Sequence, residues 1–218
     1  MTPERIESTC NRAGLALFGA FHPGAGDGAP EGCETLILLG PQEPGFWARI
    51  TASPEWPGPD PVDNWSRRVI GGLADRLGAT ALFPFGGPPH HPFVSWALKS
   101  GRAWPSPVGL LVHERAGLMV SFRGALVFSE RLTLPARPDA PPCANCAGKP
   151  CLTACPASAL TEAGYDLAAC HDFLDRKAGQ DCMSAGCLVR RACPVSRKHG
   201  RLAAQSAHHM RAFHEGRA

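Results

Sequence analysis

Eight of the ten cysteines crowd into one run, from Cys143 to Cys193. They stand at Cys143, Cys146, Cys151, Cys155, Cys170, Cys182, Cys187 and Cys193, and proline follows two of them directly, as Cys155-Pro156 and Cys193-Pro194. Whatever else the chain does, it must bring eight thiols into a small volume and give them something to do. Buried structural cysteines would not cluster in this way.

The spacing matches the two-cluster bacterial pattern for [4Fe–4S] cubes. Three thiolates of each cube come from one tight loop, and the cysteine before proline crosses to the other cube. Applied to these residues, one cluster takes Cys143, Cys146, Cys151 and Cys193. The other takes Cys170, Cys182, Cys187 and Cys155, and no cysteine of the run is left over. Proline disfavours helix at the residue before it, so each crossing cysteine is held extended where a new segment begins. The first loop carries Ala147 to Pro150 where two residues are usual, and eleven residues separate Cys170 from Cys182. Both read as insertions that preserve the ligand count.

Two other chemistries use this many thiols. A pair of cross-braced zinc sites would suit the Cys143–Cys146 spacing, but the Cys-Pro pairs and the three residues before Cys155 speak against it. A disulfide framework needs an oxidising compartment. The N-terminus, Met1 to Arg5, has no apolar signal core, and no stretch approaches the ~20 apolar residues of a membrane span. A reducing cytoplasm is therefore expected. The formal charge is +3 with cysteines counted neutral. Two thiolate-bound cubes add roughly −4, which brings the loaded chain close to neutrality.

With 218 residues and 44% hydrophobic content, there is material for one large or two smaller cores. Pro135 to Pro142 is a proline-rich joint, dividing an α+β domain over 1–134 from a cysteine domain over 143–218. In the first domain, Thr2 caps a helix from Pro3 to Ala13, and Leu15 to Phe21 is an apolar run. Glu34 to Gly40 reads as a buried strand, and Phe46, Trp47 and Ile50 have helical spacing. A long helix from Pro61 to Leu77 has Asp60 as cap and Gly78 as stop. Trp65, Val69, Leu73 and Leu77 make its core stripe. Ala79 to Phe85 reads as a strand. A meander of Val108–His113, Leu118–Phe122 and a third strand over 125–134 then closes the domain. In the second domain helices are expected over 157–163, over 167–177 behind the cap Asp166, and over 202–213.

Residues 143–195 resemble the cluster domain of epoxyqueuosine reductases and reductive dehalogenases. The resemblance rests on Cys170 standing alone between two cysteine groups, as Ala169-Cys170-His171-Asp172-Phe173-Leu174, and on Gly186-Cys187 ahead of Cys193-Pro194. The first part is more weakly similar to cobalamin-processing proteins of the cblC type. That similarity rests on Leu36 to Leu39 followed by Phe46, on Asp60 to Asp63 opening a helix, and on Gly109 to Phe128. It implies a small nitroreductase- or flavin-reductase-like α+β fold, followed by a bacterial-ferredoxin-like iron–sulfur domain. The chain departs from the reductases in having no acidic residue over 79–87, where they carry a proton-donating aspartate, and in lacking their RNA-reading repeats.

Three functions are compatible with these features. Electron transfer between redox partner proteins through two [4Fe–4S] clusters needs nothing beyond the cysteines. An iron–sulfur oxidoreductase would add cobalamin or flavin, held as a small-molecule cofactor in the first domain. A nucleic-acid-binding module would use the tail after Leu188, which has seven Lys or Arg against one Glu. No aromatic platform or recognised motif accompanies that tail, so balancing the anionic clusters is the simpler role for Arg190, Arg191, Arg197 and Lys198. The His90-His91 pair lies in a Gly/Pro loop without a third ligand at metal spacing. His113 reads as an edge residue, and Cys10 and Cys33 as ordinary thiols. Among catalytic signatures, neither a phosphate loop nor a nucleophile elbow is present.

Overall fold

The computed structural model describes residues 2–216. The chain is mixed α+β with small sheets and divides into two compact units. The first comprises residues 2–103 and 121–139, and the second 104–120 and 140–216.

The first unit begins with α1 (Pro3–Arg12), where the Thr2 hydroxyl accepts the Arg5 N–H as expected of a cap. Strands β1 (Leu15–Phe21) and β2 (Thr35–Pro41) follow, then α2 (Phe46–Thr51), α3 (Pro61–Leu77), β3 (Thr80–Leu82) and α4 (Phe93–Lys99). The chain leaves for the second unit through β4 (Ala103–Pro105) and β5 (Leu111–His113), which pair with each other, and returns as β6 (Gly124–Phe128). The main sheet is antiparallel throughout, in the order β1-β2-β6-β3. Every residue of β2 and β6 is buried, so both faces of the central strands are covered. That is why they read as unbroken apolar runs.

Helix α3 packs on β3 and β6, and α1 on β1. Their buried side chains join those of the sheet in one core, which includes Ile6, Leu15, Ile37, Leu39, Phe46, Trp65, Ile70, Leu73 and Leu126. In the stripe of α3, Val69 is only partly buried while Ile70 is fully enclosed. Steps of four residues drift around a helix of 3.6 residues per turn, so the buried face moves on by one position. Asp60 does not cap α3 with its side chain. It sits at φ +44, and its carbonyl accepts from Asp63 and Asn64 while Pro61 starts the helix. Gly78 ends it at φ +62, as expected. A second group of rings lies outside this core: Phe18 and Phe93 both meet Phe122, and Phe93 meets Trp96. Leu39 is fully buried at the centre of β2, and Leu39→Ala is expected to cost about 2–5 kcal/mol, read as a lower denaturation midpoint.

The expected meander does not form. Leu118 to Phe122 is not a strand, and β5 pairs with β4 instead of with it. Of the three segments, only β6 enters the main sheet. Residues 104–120 belong to the second unit, where Val108, Val112 and Leu118 bury themselves against Cys151, Leu160, Val189 and Cys193. Their apolar period is satisfied there, and periodicity alone does not reveal which core a strand-like run will cover.

Within the second unit 3-10 turns span Pro150–Leu152 and Lys177–Gly179. Residues 157–163 are not helical. They lead into a hairpin of β7 (Leu160–Thr161) and β8 (Gly164–Tyr165). Helix α5 (Leu167–Leu174) follows, capped as expected by Asp166, whose carboxylate accepts the Ala169 N–H at 2.9 Å. Then come α6 (Gln180–Ala185), α7 (Leu188–Ala192), α8 (Pro194–Lys198) and α9 (Ala203–Glu215), with α9 packed along α6. Among the described residues no helix is long and apolar enough to cross a membrane.

Candidate metal centre

All eight thiols of the cysteine run lie in the second unit, four of them around one cavity. Cys143, Cys146, Cys151 and Cys193 line one cavity of about 480 Å³, together with Val112, Leu118, Lys149 and Pro194. The first three come from the loop and 3-10 turn over 143–152. Cys193 arrives from the other end of the cysteine run, between α7 and α8. Its backbone is extended (φ −62, ψ 125), the conformation that Pro194 imposes on its predecessor. Leu118 and Val112 form the apolar side of the cavity, fixed by the Leu118 N–H donating to Ser196 Oγ at 2.9 Å.

The second group is Cys155, Cys170, Cys182 and Cys187. Cys170 lies within electrostatic range of Cys155 and Cys187, and Cys182 within range of Cys187. Helix α5 carries Cys170, α6 carries Cys182, and Cys187 precedes α7. The Ala159 N–H donates to Cys155 Sγ at 3.3 Å, and the Leu188 N–H is directed at the Cys182 sulfur. Each set of four therefore takes one member from the far part of the cysteine run. All ten cysteines of the chain are free of disulfides.

Burial raises the pKa of Cys143, and the neighbouring thiols of Cys151, Cys193 and Cys146 push it the same way against the pull of Lys149. Burial likewise leads the upward shifts of Cys151, Cys170 and Cys182. Thiols packed together in low dielectric keep their protons until a cation takes their place, so metal binding here would release protons. Among the described residues, no three or more His, Cys, Asp or Glu converge tightly enough to hold one metal ion. A single tetrahedral zinc with bonds of ≈ 2.3 Å draws its sulfurs to within roughly 4 Å of one another. The first four thiols stand instead around a cavity.

Much of the basic tail is engaged internally. Arg190 Nη1 donates to the Leu118 carbonyl at 2.7 Å, and Arg191 pairs with Asp181 and donates to the Gly186 carbonyl. Arg201 reaches Ser206. Arg197 and Lys198 are exposed on α8.

His90 and His91 lie in the first unit, beside a cavity of about 270 Å³ that Arg67, Phe83 and Phe85 also line. His91 stacks on Trp96, and the Arg67 guanidinium lies over Phe85. His113 is fully buried, and its Nδ1 accepts the N–H groups of Arg115 and Ala116 at 3.2 Å. Burial, helped by Glu7, pushes the Cys10 thiol up to about 12, which makes it inert at neutral pH.

Sequence reasoning passes over two features of the second unit. One is the 104–120 segment. The other is Tyr165, the sole tyrosine of the chain, whose hydroxyl lies 3.3 Å from Cys170 Sγ. Compared with models of known families, with curated proteins and with solved structures, the chain matches none.

Proposed function

We propose that this chain is an electron-transfer protein whose second unit holds two [4Fe–4S] clusters. The observation that carries the reading is the gathering of eight thiols into two sets of four, with Cys143, Cys146, Cys151 and Cys193 around one cavity. Bound cubes would supply reversible one-electron chemistry. The thiolates of these two sets would hold them, and Cys155 and Cys193 would tie the sets together. Backbone N–H groups aimed at Cys155 and Cys182, with Lys149 beside Cys143, would lower the cost of the charge gained on reduction. On this reading the second unit is ferredoxin-like and the first, with helices packed on an antiparallel sheet, is a flavin-reductase-like domain that docks a redox partner.

The test is composition. Chain made and purified without oxygen is expected to hold about eight irons and eight sulfides, twice the content of one cube. Tightly bound zinc without sulfide would defeat the assignment. Titrating the same material with cobalamin and with flavin separates a carrier from a reductase. Spectral shifts at micromolar ligand would favour the enzyme, and their absence the carrier.

A further inference from the structure

We infer that Tyr165 is a positioning residue of the second cysteine set, whose phenol O–H donates to the Cys170 sulfur and selectively raises the potential of the cluster held there. The inference rests on the two-cluster reading above. Tyr165 Oη lies 3.3 Å from Cys170 Sγ. The contact is built by the fold. Tyr165 ends β8 and Asp166 caps α5, the helix on which Cys170 is the fourth residue, so hydroxyl and sulfur are set by consecutive elements.

A row of rings holds the phenol in place. Tyr165 stacks on Phe213 of α9 at 6.4 Å and 16°, and Phe213 stacks on His171 at 4.6 Å and 16°. His171 meets His214 at 3.1 Å between their Nδ1 atoms, and His214 Nε2 is 2.9 Å from Asp175. The C-terminal helix thereby clamps the ring, although 39% of the residue remains exposed.

A metal-bound cysteine is a thiolate and can only accept, whereas the Tyr165 phenol, its pKa raised above the ordinary value by burial, carries its proton at neutral pH. The hydroxyl must then be the donor. Reduction adds one electron to the cluster and strengthens every hydrogen bond to its sulfurs, so the donor favours the reduced state.

The experiment is a dithionite titration of the anaerobically loaded full chain, followed by electron paramagnetic resonance, on wild type and Tyr165→Phe. Phenylalanine keeps the stacked ring and removes only the O–H. The one-electron equilibrium of one cluster is expected to shift roughly three- to tenfold toward oxidation, about 30–60 mV lower, with the other cluster unmoved. The shift is expected to persist when Cys146→Ser removes the first cluster. Phe213→Leu, which frees the phenol, is expected to move the same cluster in the same direction by less. Clusters present with both potentials unchanged, or both moved equally, would overturn the role of Tyr165 alone. A chain that holds no iron and sulfide would overturn both it and the two-cluster reading.

Discussion

Cys193→Ser and Cys146→Ser chains are each expected to lose the same cluster, falling from about eight irons to about four. The two residues are far apart in sequence, and Cys193 follows Cys187 closely in the chain. Neighbourhood along the chain would therefore assign Cys193 to the set of Cys182 and Cys187. The fold assigns it elsewhere, to the cavity lined by Cys143, Cys146 and Cys151. The reciprocal holds for Cys155, which follows Cys151 but lies in range of Cys170. Cys155→Ser is expected to match Cys182→Ser in its resonance spectrum and to differ from Cys193→Ser. Serine nearly preserves volume, so burial is little changed. Its hydroxyl does not ionise like a thiol, so a corner of the cube loses its ligand. Iron and sulfide analysis combined with the spectrum of the surviving cluster reads the result. Pairing of Cys193→Ser with Cys187→Ser would break the crossed assignment.

The crossed sets are a proposal that the cysteine spacing already carries, because its constraint is chemical: four thiolates per cube, and proline to hold the crossing residue extended. The fold sets Cys143, Cys146, Cys151 and Cys193 around one cavity, and Cys170 lies within electrostatic range of Cys155 and Cys187. Occupancy by iron and sulfide is what the composition test decides. Helix α3 is legible for a related reason. Pro61 at its start and Gly78 after its end mark both boundaries with backbone geometry. The inner segments are harder. Val108 to Leu118 alternates like a strand pair, yet its partners lie in the cysteine unit, and long-range choice of core is not written in local period. Residues 157–163 have helix-compatible side chains, but the Leu160–Thr161 and Gly164–Tyr165 pairing turns them into a hairpin. Tyr165 gives no signal as one more aromatic. Its role depends on a turn that brings it back over a helix five residues on.

Gly117→Ala is expected to destabilise the second unit by about 2–5 kcal/mol and to loosen the first cysteine set in particular. Gly117 has φ +56, a left-handed conformation that costs a residue with a Cβ roughly 1–2 kcal/mol. It is also locked in place, since its N–H and carbonyl both bond to His113, at 2.9 and 3.0 Å. An added Cβ would lie 2.5 Å from the Ser196 backbone nitrogen and 2.6 Å from its hydroxyl oxygen. Neither atom can move aside cheaply. The backbone nitrogen belongs to α8, and the hydroxyl already accepts the buried Leu118 N–H. Forcing atoms into such a contact costs about 1–3 kcal/mol more. Relief would push α8 away from residues 104–120, and Cys193 stands immediately before α8. The loaded variant is therefore expected to show a lower denaturation midpoint and to surrender the first cluster to an iron chelator before the second. Ser196→Ala separates crowding from lost hydrogen bonding. It leaves the Leu118 N–H without its acceptor, at about 1–3 kcal/mol, and adds no atoms. If Gly117→Ala melted with wild type and lost both clusters at equal rates, the 104–120 segment would have no part in holding Cys193.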